Sequence, residues 1–186
     1  WHHFQKYLMT TPPNNPPRRV RHEPEVPEAP VALSSVSEAL SGILGEVYAD
    51  FDIEIGAKVD EVTLTVKPKD VPAVCKLAKE DPRLLCNYLR SLSVVDYVEK
   101  LEVSYHLLSL TKRHKFVVKT DVSPDEPYVP SVYPVWRGAD WFEREGHDLF
   151  GVIFEGHPNL TPLLLYEGFE GHPGLKSFPF HDYEEW

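Results

Sequence analysis

The chain has 186 residues, of which 42% are hydrophobic and 26% charged. That is the length of one domain with tails, and a composition that supplies material for a core. A net charge of −10, from 19 basic and 29 acidic residues, argues against a nucleic-acid binder that works by neutralising phosphates. Cys75 and Cys86 form no Cys-x-x-Cys pair, which excludes zinc or iron–sulfur ligation by cysteine. A disulfide is not needed at this size, and a reducing compartment is expected. The longest apolar run, Leu149–Phe154, falls far short of the roughly 20 residues of a membrane-spanning helix.

Seven of the 18 prolines fall in the first thirty residues. Residues 1–33 therefore read as a Pro-rich arm, basic at Arg18, Arg19 and Arg21 and acidic at Glu23, Glu25 and Glu28. Such a segment favours polyproline II and cannot bury enough surface to fold alone. It is either a disordered tail or an extended arm that orders along a partner.

Residues 34–127 read as an α+β domain. Ser35 and Glu38 form a capping-box pattern, and Val36, Leu40, Ile43, Leu44 and Val47 recur at helical spacing, with a stop near Ala49–Asp50. Glu61–Lys67 alternates strictly, placing Val62, Leu64 and Val66 on one face of a strand. Asp70 is placed to cap a helix carrying Val74, Leu77 and Ala78, closed by Asp81-Pro82. A short helix is predicted over Leu84–Leu92, then strands over Val94–Tyr97, Leu101–Leu110 and Lys115–Val122, the last two as a hairpin. Helices are expected to cover one face of a small sheet. No glycine-rich loop follows a strand, which removes dinucleotide and P-loop readings.

Residues 128–186 differ in character, holding 13 of the 22 aromatic residues and seven of the ten glycines. One helix is legible, about Ala139–Leu149, with Gly151 placed to stop it. The remainder is loop rich in large apolar side chains, expected to drape over another surface, because interfaces enrich aromatics.

Two clusters carry candidate chemistry. In Trp141-Phe-Glu143-Arg144-Glu145-Gly-His147-Asp148, helical spacing pairs Glu143 with His147 and Arg144 with Asp148, a salt-bridged face directed at a partner. The competing reading is a metal or acid–base set of Glu143, Glu145, His147, Asp148 and His157, as in an independent metal-dependent hydrolase. The motif is not His-Glu-x-x-His and has no third histidine at ligand spacing. The second cluster is a pentapeptide, Phe-Glu-Gly-His-Pro, present at 154–158 and again at 169–173. Gly156-His157-Pro158 and Gly171-His172-Pro173 read as rigid turns that present an imidazole. No serine or cysteine nucleophile lies close in sequence.

Glu143-Arg144-Glu145, Asp148 and His157 resemble the signature of the 30-kDa subunit family of respiratory complex I, the NADH:quinone oxidoreductase. The resemblance runs from Asp81-Pro82-Arg83-Leu84 through Val94-Val95-Asp96-Tyr97, Glu102–Leu107 and Val129-Pro130-Ser131-Val132 to Gly168–Pro173 and Lys176. It covers roughly residues 45–180. It implies a ferredoxin-like α+β fold with a long irregular C-terminal extension, and no catalytic, metal-binding or cofactor-binding residue on this chain. NADH, FMN, iron–sulfur clusters and quinone are expected on partner subunits.

The resemblance further implies a structural and assembly subunit of the peripheral arm that braces the 49-kDa-type subunit of the quinone module. Its membrane association is indirect, on the cytoplasmic face in bacteria or the matrix or stromal face in organelles. The interface candidates are Trp141, Glu143, Arg144, Glu145, Asp148, Gly156, His157, Pro158, Gly171, His172, Pro173 and Lys176. An alternative is the equivalent scaffold subunit of a related membrane-bound hydrogenase or ferredoxin-driven complex. The chain departs from the family pattern at His147 (usually aromatic), Asn159 (Asp), Thr161-Pro162 (an Arg pair) and Gly174-Leu175-Lys176-Ser177 (Leu-Arg-Lys-Asp), with arginines lost at Thr161, Pro162 and Leu175.

Overall fold

The structure, a computed structural model, describes residues 34–58 and 61–179. The Pro-rich arm assigned to residues 1–33 lies outside the described residues, as does the end of the C-terminal extension. Among the described residues, helix α1 (Ser35–Val47) leads into a hairpin of β1 (Glu54–Lys58) and β2 (Glu61–Thr65). Helix α2 (Val71–Glu80) follows, then an antiparallel run of β3 (Tyr88–Asp96), β4 (Leu101–Ser109) and β5 (His114–Val122). These five strands form one mixed sheet in the order β1-β2-β5-β4-β3, the β2–β5 pair being parallel. The fold class is α+β.

The sheet is one-sided. Val62 and Leu64 on β2, Leu101, Val103, Tyr105 and Leu107 on β4, and Phe116 and Val118 on β5 are all buried on one face. Leu40 and Leu44 of α1 and Val71, Val74, Cys75 and Ala78 of α2 complete that core. The opposite face carries Glu61, Thr63, Glu102, Ser104, His106 and Lys119, with ion pairs Lys119–Glu102 (2.8 Å) and Lys115–Glu61 (2.7 Å). Alternation with period two gives one apolar and one polar face to each strand. Both cysteines are buried and free.

Three local expectations are corrected. The cap of α1 is Ser34, whose hydroxyl accepts from the Ser37 N–H at 3.3 Å, one residue before the expected Ser35. Asp70 stands at the N-cap of α2 without a side-chain capping bond, and Pro sits in the first turn. Leu84–Leu92 is not a helix. Residues from Tyr88 onward belong to β3, and a bulge between Leu89 and Ser91 breaks the two-residue period. The bulge puts Leu89 and Leu92 on the same face at a spacing of three, which imitates a helical pattern.

The chain beyond the sheet shares this core. Strand β6 (Tyr128–Pro130) pairs in parallel with β7 (Ile153–Glu155), and between them lies α3 (Ala139–Phe150). Val129, Val132, Trp136, Val152 and Phe154 are buried in the same cluster as the sheet residues. A Cβ on Gly146 would lie 3.0 Å from the Val94 side chain, so glycine lets α3 approach β3 closely. Helix α3 stops at Gly151, left-handed at φ 76°, whose N–H bonds the His147 carbonyl at 2.9 Å.

Candidate functional site

Helix α3 is the hub of the predicted motif, and it distributes its polar residues in three directions. Glu143 faces inward and is fully buried. Its carboxylate accepts the Ser131 hydroxyl at 2.6 Å and the Val132 N–H at 2.7 Å, tying the helix to the segment after β6. His157 lies beside it with a fully buried side chain, Nε2 standing 3.5 Å from Asp140 Oδ1 and 3.9 Å from Glu143 Oε2. The Asn159 N–H donates to His157 Nδ1 at 3.1 Å, so in the neutral ring the proton is on Nε2, facing Asp140. Burial pushes the Glu143 carboxyl up to about 7, against the opposing bonds from Ser131 and Val132. Burial also holds His157 below its ordinary value, with Asp140 opposing.

The second direction is toward the loop after β7. Arg144 donates from Nε to the Thr161 carbonyl (3.0 Å) and from Nη2 to the Pro162 carbonyl (2.8 Å). One turn on, Asp148 Oδ2 accepts the N–H groups of Leu163, Leu164 and Leu165 at 3.1, 2.8 and 2.9 Å. Burial raises the Asp148 carboxyl, but these three N–H groups outweigh it and hold it below the usual range. The expected ion pairs Glu143–His147 and Arg144–Asp148 do not form among the described residues. Each side chain is spent instead on a backbone group or hydroxyl of a neighbouring segment.

The third direction is the C-terminal end of α3, where carbonyls lack partners within the helix. His172 Nδ1 donates to the Asp148 carbonyl (2.9 Å), and the Gly174 N–H donates to the Leu149 carbonyl (2.8 Å). His147 Nδ1 donates to the Val152 carbonyl at 2.9 Å. The repeated Phe-Glu-Gly-His-Pro thus embraces the helix, with His157 against its first half and His172 on its end. Gly156 (φ 82°) and Gly171 (φ 88°) both adopt the left-handed turn that precedes each His-Pro.

What α3 and its loop leave outside is aromatic and apolar. Trp141 is 67% exposed, Leu164 59% and Tyr166 72%. Tyr166 packs edge-on to Phe169 (5.3 Å), which stacks on Phe178 (5.9 Å). Glu145, Gly156, Pro158, Gly171 and Lys176 are also exposed, and Pro173 is half-buried. The Lys176 N–H bonds Asp96 Oδ2 at 2.7 Å, and its ammonium stands 5.9 Å from the Tyr97 ring centre. Among the described residues, no three His, Cys, Asp or Glu side chains are grouped to hold a metal ion.

The family described as the 30 Kd subunit of respiratory-chain NADH dehydrogenase matches residues 64–184. The C subunit of the NADH-quinone oxidoreductase of Methylorubrum populi is 39% identical over 158 residues, covering 83% of this chain and 69% of that protein. The chain belongs to this family. The corresponding C subunit of Salinispora tropica is 36% identical over 167 residues, covering 86% of this chain and 68% of that protein. Among solved structures, a trypsin-resistant fragment of Nqo5 is 26% identical with a TM-score of 0.54, covering 65% of this chain and 98% of that one. A chain of the archaeal membrane-bound sulfane sulfur reductase, 22% identical with a TM-score of 0.64, shares the fold over 76% of this chain and 86% of its own.

The motif Glu143-Arg144-Glu145, Asp148 and His157 serves here mainly as an internal frame. Glu143 and His157 face inward, Arg144 and Asp148 hold a loop, and Glu145 alone of these five is exposed. The backbone carbonyls of Thr161 and Pro162 take Arg144. The motif reading misses Asp140, Ser131 and the N–H groups of 163–165. A second carboxylate three residues before Glu143 is the available signal for Asp140; the backbone donors leave none. No helix of the described residues is long and apolar enough to cross a membrane.

Proposed function

We propose that this chain is the cofactor-free structural and assembly subunit of the peripheral arm of a proton-pumping NADH:quinone oxidoreductase, and that it braces the 49-kDa-type subunit. In this reading NADH, FMN, iron–sulfur clusters and quinone belong to partner subunits. The chain is not catalytic alone and meets the membrane only through the complex, on its cytoplasmic, matrix or stromal side. The observation that carries the reading is the exposed set of Trp141 on α3 with Leu164 and Tyr166 on the loop that Arg144 and Asp148 fix to that helix. Exposed large side chains on a helix and a loop tethered to it suit a partner surface, since little entropy is left to lose on docking.

The test is co-purification from cells carrying the tagged chain, with mass spectrometry of the recovered proteins. The wild-type chain should bring down the 49-kDa-type subunit, and the double variant Trp141→Ala/Tyr166→Ala should lose it while keeping its melting temperature. Equal recovery with the double variant would refute the assignment of this surface.

A further inference from the structure

Between α3 and the chain that wraps its end lies a cavity of about 130 Å³. Its walls include His147, Asp148, Leu165, Tyr166, Phe169 and His172. Among the described residues no lysine or arginine lines it, and the nearby Arg144 guanidinium is committed to the Thr161 and Pro162 carbonyls. The polar groups that remain are acceptors. Both imidazoles donate through Nδ1 to backbone carbonyls, so in each neutral ring Nε2 is left as an acceptor. The rings stand 6.4 Å apart, tilted by 57°.

Asp148 adds a carboxylate whose Oδ2 is used by the loop and whose Oδ1 has no partner among the described residues. The negative end of the α3 dipole adds to it. This is a cavity with acceptors, negative potential and flat ring walls, and the described residues supply it with no cation. An anion is repelled there, and among the described residues no three His, Cys, Asp or Glu side chains are placed to hold a metal ion.

We infer that this cavity receives an arginine side chain of the partner subunit, its guanidinium bonding Asp148 and the imidazoles of His147 and His172. The inference rests on the reading of this face as a partner surface. Arginine fits better than lysine because a planar fork of donors can satisfy several acceptors at once and stack on Tyr166 or Phe169.

The experiment places a photoreactive benzoylphenylalanine at Tyr166, on the cavity wall, and maps its cross-link in the purified complex. The result expected is a cross-link to a partner segment containing an arginine. Changing that arginine to glutamine should weaken assembly at least about tenfold, as for a buried charge pair deprived of one member. On this chain, His172→Asn should weaken assembly similarly without unfolding, because the asparagine amide can keep the bond to the Asp148 carbonyl. Leu165→Arg, which puts a guanidinium into the cavity from this chain, should compete with the partner's. A cross-link to a segment without arginine, or unchanged assembly after the arginine is replaced, overturns the inference and leaves the partner surface standing. Failure of the wild-type chain to co-purify with any partner overturns both.

Discussion

Arg144 and Asp148 hold one loop by opposite ends of its peptide groups: the guanidinium takes the carbonyls of residues 161 and 162, and the carboxylate takes the N–H groups of residues 163–165. Their spacing of four sets them side by side on α3, yet they act on the loop rather than on each other. Asp148→Ala should destabilise the chain by about 2–3 kcal/mol, the cost of several charge-assisted bonds to backbone donors. Urea denaturation would measure it. Because the Asp148 carboxyl is held low, its stabilisation is complete above the ordinary carboxylate range and is lost as pH falls through the lowered value.

Glu143 carries the opposite sign. Its carboxyl titrates near 7 in the folded chain and near the ordinary 4.5 when unfolded, so the folded state holds the extra proton between these values. Stability from this group is full below 4.5 and declines as pH rises toward 7. Glu143→Gln keeps an acceptor for the Val132 N–H and stays uncharged. Its stability relative to wild type should therefore improve by about 3 kcal/mol between pH 4.5 and 7.5, the linkage expected from the shift. His157 opposes this trend, since a depressed histidine loses stability as pH falls. His157 Nε2 stands 3.9 Å from Glu143, so the two titrations are coupled, and repeating the comparison in a His157→Asn background separates them. A constant difference across the range would contradict the assignment of the buried proton to Glu143.

Gly174 sits where its absent side chain matters. A Cβ there would lie 2.8 Å from the Leu149 carbonyl oxygen and 2.8 Å from the Phe150 ring. Gly174→Ala should push the 172–178 segment off the end of α3 and cost about 1–3 kcal/mol. Hydrogen exchange of the variant should show early loss of protection at the amides of positions 174 and 175, which bond the Leu149 and His172 carbonyls in the unsubstituted chain.

Cys75 and Cys86 should resist alkylation in the folded chain at pH 8. Burial raises both thiols, Cys86 to about 12, so the reactive thiolate is scarce. Labelling should appear only in denaturant. Rapid native labelling would mean that the α2 side of the core opens far more readily than its packing indicates.

Much of this fold is legible in the sequence because its elements obey simple periods. Val62, Leu64 and Val66 alternate into the core, the β4–β5 hairpin follows its short polar turn, and α3 ends at Gly151. Elsewhere the period is broken or absent. The bulge near Arg90 gives β3 a helix-like spacing, and β1 contributes mostly exposed residues that carry no apolar alternation. The short strands β6 and β7 read as loop because three residues are too few to show a period. At the site, the residue types in the motif are visible but their directions are not. Glu143 reads as an outward contact and is buried, because its partners, Ser131 and the Val132 N–H, lie eleven to twelve residues upstream. The loop amides that bind Asp148 are backbone groups, which no side-chain pattern records.

In the function proposed above, the chain meets its partner through the Trp141–Leu164–Tyr166 surface rather than through the polar face of its sheet. Hydrogen exchange of the chain alone and within the assembled complex tests this most directly. Protection gained on assembly should concentrate in residues 160–168 and leave β4 and β5 unchanged. Protection confined to β4 and β5, with residues 160–168 exchanging as in the isolated chain, would contradict the account.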